Sequence, residues 1–367
     1  MAPIRILHVV TYMGRGGLET MLMNYYRHID RSKVQFDFLV HREFEADYDR
    51  EILALGGKIF RLPRLVPWSC RYRRALNAFF REHPEYKIVH VHQDCLSAVI
   101  LKAAKRHGVP VRIGHSHNSS QDKNLKYLVK LFYKRQIPAS ATALFACGKE
   151  AGDWMFGGAP YKVLNNAVDT KRYLFDPARR EQARKRLGIL PDTFVVGHVG
   201  RFQPQKNHDF LLDIFAEVKK RRSDSLLLLV GDGDLRGKLE EKAARLGIGD
   251  SVIFTGVRND VPDLMQAMDC FVFPSLYEGL PVTLVEAQAA GLPCLVSDGV
   301  PGECDITDLI GHIPLAEDAA SWAEHVLSQT GRARRDTGEE IVRAGYDIEA
   351  NALWLQNYYL EQGKKEA

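Results

Sequence analysis

One local pattern occurs twice and constrains the fold more than any other feature. It is a short apolar run, then a glycine-containing loop, then a stretch of helical period. In the first copy the run 4–10 (IRILHVV) leads into Gly14-Arg15-Gly16-Gly17. Leu18, Leu22, Tyr25, Tyr26 and Ile29 then recur at spacings near three and four. In the second copy the run 194–199 (FVVGHV) leads into the loop 200–207 and a helical stretch at 209–221. A strand that is apolar on both faces belongs in a parallel sheet with both faces covered, and parallel neighbours require crossover connections. Further short apolar runs stand at 36–40, 58–61, 88–92, 111–115 and 143–147, and again at 226–230, 252–255, 270–273 and 294–297. Helical stretches separate several of them. The expected fold is therefore α/β, with two Rossmann-like domains facing each other.

The length of 367 residues agrees, being too great for one ordinary core and comfortable for two. The expected boundaries are an N-terminal domain at 1–165, a C-terminal domain at 166–345 and a last helix at 346–367 that packs back towards the N-terminal domain. An Asn-rich turn within 164–173 is the expected hinge, and the last helix carries Trp354, Tyr358 and Tyr359.

Charge and composition exclude several classes. With 50 Lys and Arg against 46 Asp and Glu the net charge is +4, which does not suit a dedicated nucleic-acid binder. No apolar stretch approaches the roughly 18 residues of a spanning helix. The start is not read as a signal peptide, because a glycine-rich loop stands where a cleavage site should be. Six cysteines without a C-x-x-C pair read as reduced thiols of a cytoplasmic protein.

In open α/β sheets ligands bind beyond the carboxyl ends of the strands, so the loops there carry the functional argument. Gly14–Gly17 is either a plain strand-to-helix turn or a place where backbone amides approach an anion. In the loop 200–207, Arg201 and Lys206 could both reach a diphosphate, Arg as a fork and Lys as a point charge. A solvated basic loop is the alternative. The segment 273–287 is the most informative. A strand ends at Phe273, a helix begins at about Pro281 or Val282, Glu278 stands in the loop, and Glu286 lies on the helix among apolar neighbours. Two cations beside a helix start make a diphosphate cradle, and ionised carboxylates accept hydrogen bonds from sugar and ribose hydroxyls. The fourth group is His115-Ser116-His117-Asn118 with His90 and His92. No carboxylate or cysteine set accompanies them, so no metal site is expected. One histidine is read as a ligand contact and the others as structural.

Together these loops resemble the GT-B retaining glycosyltransferases of family 4. The carriers are Gly16-Gly17-Leu18-Glu19, the G-R-x-x-x-x-K-N loop with Gly200, Arg201, Lys206 and Asn207, and the E-x7-E pair Glu278 and Glu286. The turn 163–169 and Val230-Gly231-Asp232-Gly233 match two further family signatures in the right order. Within the family, the H-S-H-N stretch and Val300-Pro301-Gly302-Glu303 resemble capsule and exopolysaccharide enzymes.

The resemblance implies metal-independent transfer of a sugar, with retention and without a cofactor, from a nucleotide diphosphate sugar to a saccharide or lipid-linked hydroxyl. Family frequency favours UDP. Arg201 and Lys206 would hold the diphosphate, Glu278 the donor sugar and Glu286 the ribose. The backbone of Gly279, Leu280, Pro281, Val282 and Thr283 would bind sugar and phosphate. Gly256 and Val257 would lie beside the base, and Gly16 and Gly17 would approach the phosphate. His117 would face the sugar. The family often has His-Asp at that point, whereas Asn118 follows here, and His115 is the alternative for the role.

The segment 123–135 is basic and amphipathic, and Trp68 with 71–74 adds a second basic and aromatic patch. Both suit peripheral docking to an anionic membrane at the inner face of the cell, where a lipid-linked acceptor would be met. An ordinary packed helix is the alternative. Two rival functions share the architecture: a nucleotide-sugar epimerase, and a non-catalytic sugar-nucleotide binding protein.

Overall fold

A computed structural model describes residues 2–118 and 127–364. The chain forms two compact units: Met1–Ala167 with Ile348–Ala367, and Val168–Asp347. Each is built on one parallel sheet with helices packed against it, so the expected α/β class with two Rossmann-like domains holds.

Unit 1 contains strands β1 (Ile4–Val9), β2 (Val34–Val40), β3 (Ile59–Arg61), β4 (Ile88–Val91), β5 (Val111–Ser116), β6 (Ala143–Ala146) and β7 (Lys162–Val163), in the order β3-β2-β1-β4-β5-β6-β7. Every residue of β2 is buried, as a central parallel strand requires. The helices Gly17–His28 and Ile348–Lys364 pack in one apolar cluster with Phe36, Phe38 and Phe145. The last helix is further tied to the sheet by Tyr359, whose hydroxyl lies 2.7 Å from His90 Nδ1, and to the loop before β2 by Gln356, which accepts from the Asp30 amide at 2.6 Å.

Unit 2 contains β8 (Phe194–Val199), β9 (Ser225–Val230), β10 (Val252–Phe254), β11 (Cys270–Phe273), β12 (Cys294–Ser297) and β13 (Ile310–Ile313), in the order β10-β9-β8-β11-β12-β13. Arg184 is inserted against the base of this sheet. Although only 4% exposed, it donates to the carbonyls of Ala267, Pro191 and Thr193 and pairs with Asp269 at 2.6 Å.

In both orders the chain winds outward on one side of its first strand and then crosses to the other side. The reversal falls between β1 and β4 in unit 1 and between β8 and β11 in unit 2. Such switch points leave a crevice at the carboxyl edge of the sheet.

Some details depart from the sequence reading. The two-residue β7 and the half-exposed β13 were not anticipated, because neither is a clean apolar run. Tyr72 is not part of a surface patch. It is fully buried, and its hydroxyl lies 2.9 Å from His41 Nε2, since it sits on the inward face of the helix Cys70–Glu82. Trp68 is 65% exposed. Of the amphipathic segment, 123–126 lies outside the described residues, 127–134 forms the helix Tyr127–Lys134, on which Leu128 and Phe132 are exposed, and Arg135 stands in the turn after it. No helix among the described residues is long and apolar enough to cross a membrane.

Candidate functional site

At the unit 2 switch point two loops are knitted together. The first follows β8. Gly200 donates its amide to Val230 and Phe202 donates to Asp232, both at 3.0 Å. The Phe202 ring is fully buried and anchors this otherwise polar loop. A single 3-10 turn, Pro204–Lys206, then carries the chain to Asn207, whose φ of +53° reverses it into the helix His208–Arg221. The loop Gly231–Gly233 lies directly against this backbone. A Cβ on Gly231, at φ +141°, would sit 2.1 Å from the Gly200 carbonyl, and one on Gly233 would sit 2.5 Å from that of Phe202. Only glycine permits that approach.

The second loop follows β11. The Leu276 amide donates to the Gln205 carbonyl at 2.8 Å, and Gln205 Nε2 donates to the Tyr277 carbonyl at 2.9 Å. Glu278 is held in turn by its amide, which donates to Gly299 at 3.0 Å. These bonds bring Lys206 Nζ to 2.7 Å from Glu278 Oε1, with side chains 14% and 6% exposed. The ammonium also lies 4.6 Å from the centre of the Phe273 ring, a cation–π contact. Arg201, on the same loop, is exposed. Pro281 is the N-cap, not the first residue, of the helix Val282–Ala289, whose free amides begin just beyond Glu278.

Glu286, on that helix, is 7% exposed. Burial pushes its carboxyl up to about 7, while a hydrogen bond with Tyr173 and the nearby Arg172 cation act in the opposite sense. Tyr173 is itself held well above its usual range by burial and by Glu286. The sequence reading missed Tyr173 and Gln205. Gly256 has φ +71° and accepts from the Gly231 amide at 3.0 Å, and Val257 beside it is 57% exposed. The structure thus brings Lys206, Glu278 and the 279–283 backbone together, with Gly256 joined to the Gly231 loop behind them.

At the unit 1 switch point the chemistry is different. Gly16 is the N-cap of the helix Gly17–His28, in extended backbone, and both Gly16 and Gly17 are exposed. A Cβ on Gly16 would meet only the end of the Glu19 side chain, Oε2 at 2.3 Å, which can swing aside. Imidazoles stand on β1, β4 and β5 (His8, His90 and His115) and just beyond β4 and β5 (His92 and His117). His92 Nδ1 lies 2.8 Å from His117 Nε2, and His92 Nε2 lies 3.1 Å from His8 Nδ1. His90 Nε2 lies 3.1 Å from His115 Nδ1. Burial holds His90, His92 and His115 well below the usual histidine range and lowers His8 and His117 to about 3, so these rings are neutral at physiological pH. His8 was not singled out from sequence. Only the pairing of β1 with β4 brings it beside His90, so the sequence carried no signal for it.

Residues 15–172 match the family Glycosyltransferase Family 4, and residues 179–313 match Glycosyl transferases group 1. The chain is 40% identical to the putative glycosyltransferase EpsF of Bacillus subtilis (strain 168), covering 97% of this chain and 96% of that one. It is 32% identical, over 58% of each chain, to an Escherichia coli UDP-Gal:alpha-D-GlcNAc-diphosphoundecaprenol alpha-1,3-galactosyltransferase. Among solved structures it resembles Anabaena Alr3699/HepE in complex with UDP and glucose, with a TM-score of 0.76 at 18% identity over 99% of this chain and all of that one. That likeness places the fold among the GT-B structures.

Proposed function

Since the chain belongs to the family 4 glycosyltransferases of GT-B fold, we propose that it transfers a sugar, with retention, from a UDP-linked donor to a saccharide or lipid-linked hydroxyl in cell-surface polysaccharide synthesis. The observation that carries this reading is the Lys206–Glu278 pair, seated at the unit 2 switch point beside a helix N-terminus. The names of the relatives support the donor: one acts on UDP-Gal, and one was solved with UDP and glucose.

The difficulty of the reaction is charge. The bond from the anomeric carbon to the diphosphate breaks while that carbon becomes oxocarbenium-like, so negative charge grows on the leaving group. Lys206, Arg201 and the amides at the start of Val282–Ala289 are the groups that stabilise it, and fixed donors aimed at developing charge are often the largest catalytic contribution. In this reading a diphosphate oxygen takes over the Lys206 ammonium and frees Glu278 to accept from donor-sugar hydroxyls. Glu286 receives the ribose hydroxyls, the 279–283 backbone meets sugar and phosphate, and Gly256 and Val257 flank the base. The roles that the resemblance gives Gly16, Gly17 and His117 belong to the same proposal. No step assigned to these residues requires a metal ion or cofactor.

The exposed Leu128 and Phe132 support peripheral docking on an anionic membrane. Leu128→Asp/Phe132→Asp should abolish co-sedimentation with anionic vesicles, and unchanged pelleting would remove that part of the reading.

The test of the reaction is a screen of nucleotide sugars for nucleoside diphosphate release, with and without lipid-linked saccharides, followed by NMR of the product's anomeric configuration. Acceptor-dependent UDP release with retention supports the proposal. An inverted product or a different nucleotide overturns the corresponding part of it.

A further inference from the structure

Gln205 stands immediately before Lys206 and holds the loop after β11 twice. Its carbonyl accepts from the Leu276 amide at 2.8 Å, and its Nε2 donates to the Tyr277 carbonyl at 2.9 Å. That carbonyl belongs to the same peptide unit as the N–H of Glu278, which donates to the Gly299 carbonyl at 3.0 Å. A trans peptide is planar, with its C=O and N–H on opposite sides. The unit is therefore gripped from both sides, by Gln205 on one and by Gly299 on the other. Turning it would change ψ of Tyr277 and φ of Glu278 together, and so redirect the Glu278 side chain. Gly299 approaches that closely because it lacks a side chain: a Cβ there would sit 2.4 Å from the Leu276 carbonyl.

The Gln205 amide is itself oriented. Gln203 Nε2 donates to Gln205 Oε1 at 3.2 Å, which turns the Gln205 donor towards Tyr277. The Gln203 carbonyl accepts from the Lys206 amide at 3.1 Å, so the short turn that places Lys206 also places this amide. One connected path thus runs from Lys206 to the peptide that aims Glu278, and its ends meet as the ion pair at 2.7 Å. Any residue at 205 supplies the carbonyl for Leu276. Only a side-chain donor of this reach supplies the bond to Tyr277.

We propose that Gln205 is a positioning residue for the transfer reaction: its side-chain amide aims Glu278 and ties the diphosphate loop to the donor-sugar loop. The proposal rests on the roles given above to Lys206 and Glu278. In that reading the diphosphate draws the ammonium away, and the carboxylate must stay aimed after its partner has left. An ion pair fixes its members only while it is made. The bond from Gln205 does not involve the ammonium, so it persists with the donor bound.

The experiment has two arms, and Gln205→Met serves both, since it keeps the length and the backbone carbonyl but removes the donor. In the first, denaturant unfolding is measured for Lys206→Met, Glu278→Leu and the double variant, with and without Gln205→Met. The non-additivity of the two changes reports the pair alone. Written as a factor in the unfolding constant, it should fall about fivefold in the Gln205→Met background, as for one lost hydrogen bond. A side chain that merely steadies the loop would lower the stability of every variant alike and leave that factor unchanged. In the second arm, kcat for nucleotide release should fall about tenfold in Gln205→Met while the UDP dissociation constant stays within about threefold. Gln203→Met, which frees the Gln205 amide to turn, should move both readouts the same way by less. Unchanged non-additivity, or unchanged kcat in Gln205→Met, would overturn the proposal. Lost non-additivity in a protein that transfers no sugar would overturn the proposed function and confirm the tie between the loops.

Discussion

The two switch points occupy equivalent places in their sheets yet use opposite chemistry. In unit 2 the crevice is lined by formal charge: Lys206 paired with Glu278, Arg201 exposed nearby, and a helix N-terminus adjoining. In unit 1 its inner wall is neutral imidazole, and the charged residues Arg15, Glu19 and Asp94 stand on the surrounding loops. A charged crevice suits a ligand that itself carries and gains charge. A neutral, hydrogen-bonded one suits positioning. A shared topology thus fixes where ligands go, while the loop residues decide which ligands they are.

The largest expected effect that would break this contrast is on catalysis. Lys206→Ala should lower kcat/KM by about 10²–10³-fold, the usual result of removing one donor aimed at developing charge. The check is the nucleotide-release assay, and unchanged turnover would strip unit 2 of its assigned role.

Next is the pair itself. Glu278→Ala leaves an ammonium largely shielded from water and should cost about 3–5 kcal/mol, read by denaturant unfolding. Lys206→Met with Glu278→Leu should recover much of that loss, because no unpaired charge remains. A double variant no more stable than Glu278→Ala would show that the pair is not the source of the cost.

Glu286 gives a pH-dependent effect. Its carboxyl is raised from 4.5 to about 7, chiefly by burial. Between those values the folded state keeps a proton that the unfolded chain releases. Stability therefore falls as pH rises across that window, and the full penalty, about 3 kcal/mol, stands above it. Glu286→Gln should raise Tm at pH 8 and leave it nearly unchanged at pH 4. An equal change at both would contradict the assignment.

The smallest effect lies in unit 1. Tyr359→Phe removes one buried hydrogen bond to His90 and should cost about 1–3 kcal/mol, with no change in UDP affinity.

Much of this was readable in the residues because it follows from local pattern. Buried parallel strands announce themselves as continuous apolar runs, and the loops after β8 and β11 carry cations and carboxylates that an ordinary turn does not need. What was hidden depends on contacts distant in sequence. Nothing near Glu286 identifies Tyr173 as its partner, because the two are joined only by folding. Tyr72 looked like a surface aromatic among arginines until the phase of its helix turned it towards His41. Gly231 was readable as a loop glycine, but its need for glycine arises from the Gly200 carbonyl, which only the sheet order brings beside it.

The central claim is that unit 2 seats a nucleoside diphosphate on Lys206. Isothermal titration of the full-length protein with UDP and with uridine tests it most directly. Saturable UDP binding is expected, with at least tenfold weaker binding of uridine and a loss of that discrimination in Lys206→Ala. Equal affinity for UDP and uridine in the wild-type protein, or undiminished UDP binding by Lys206→Ala, would contradict it.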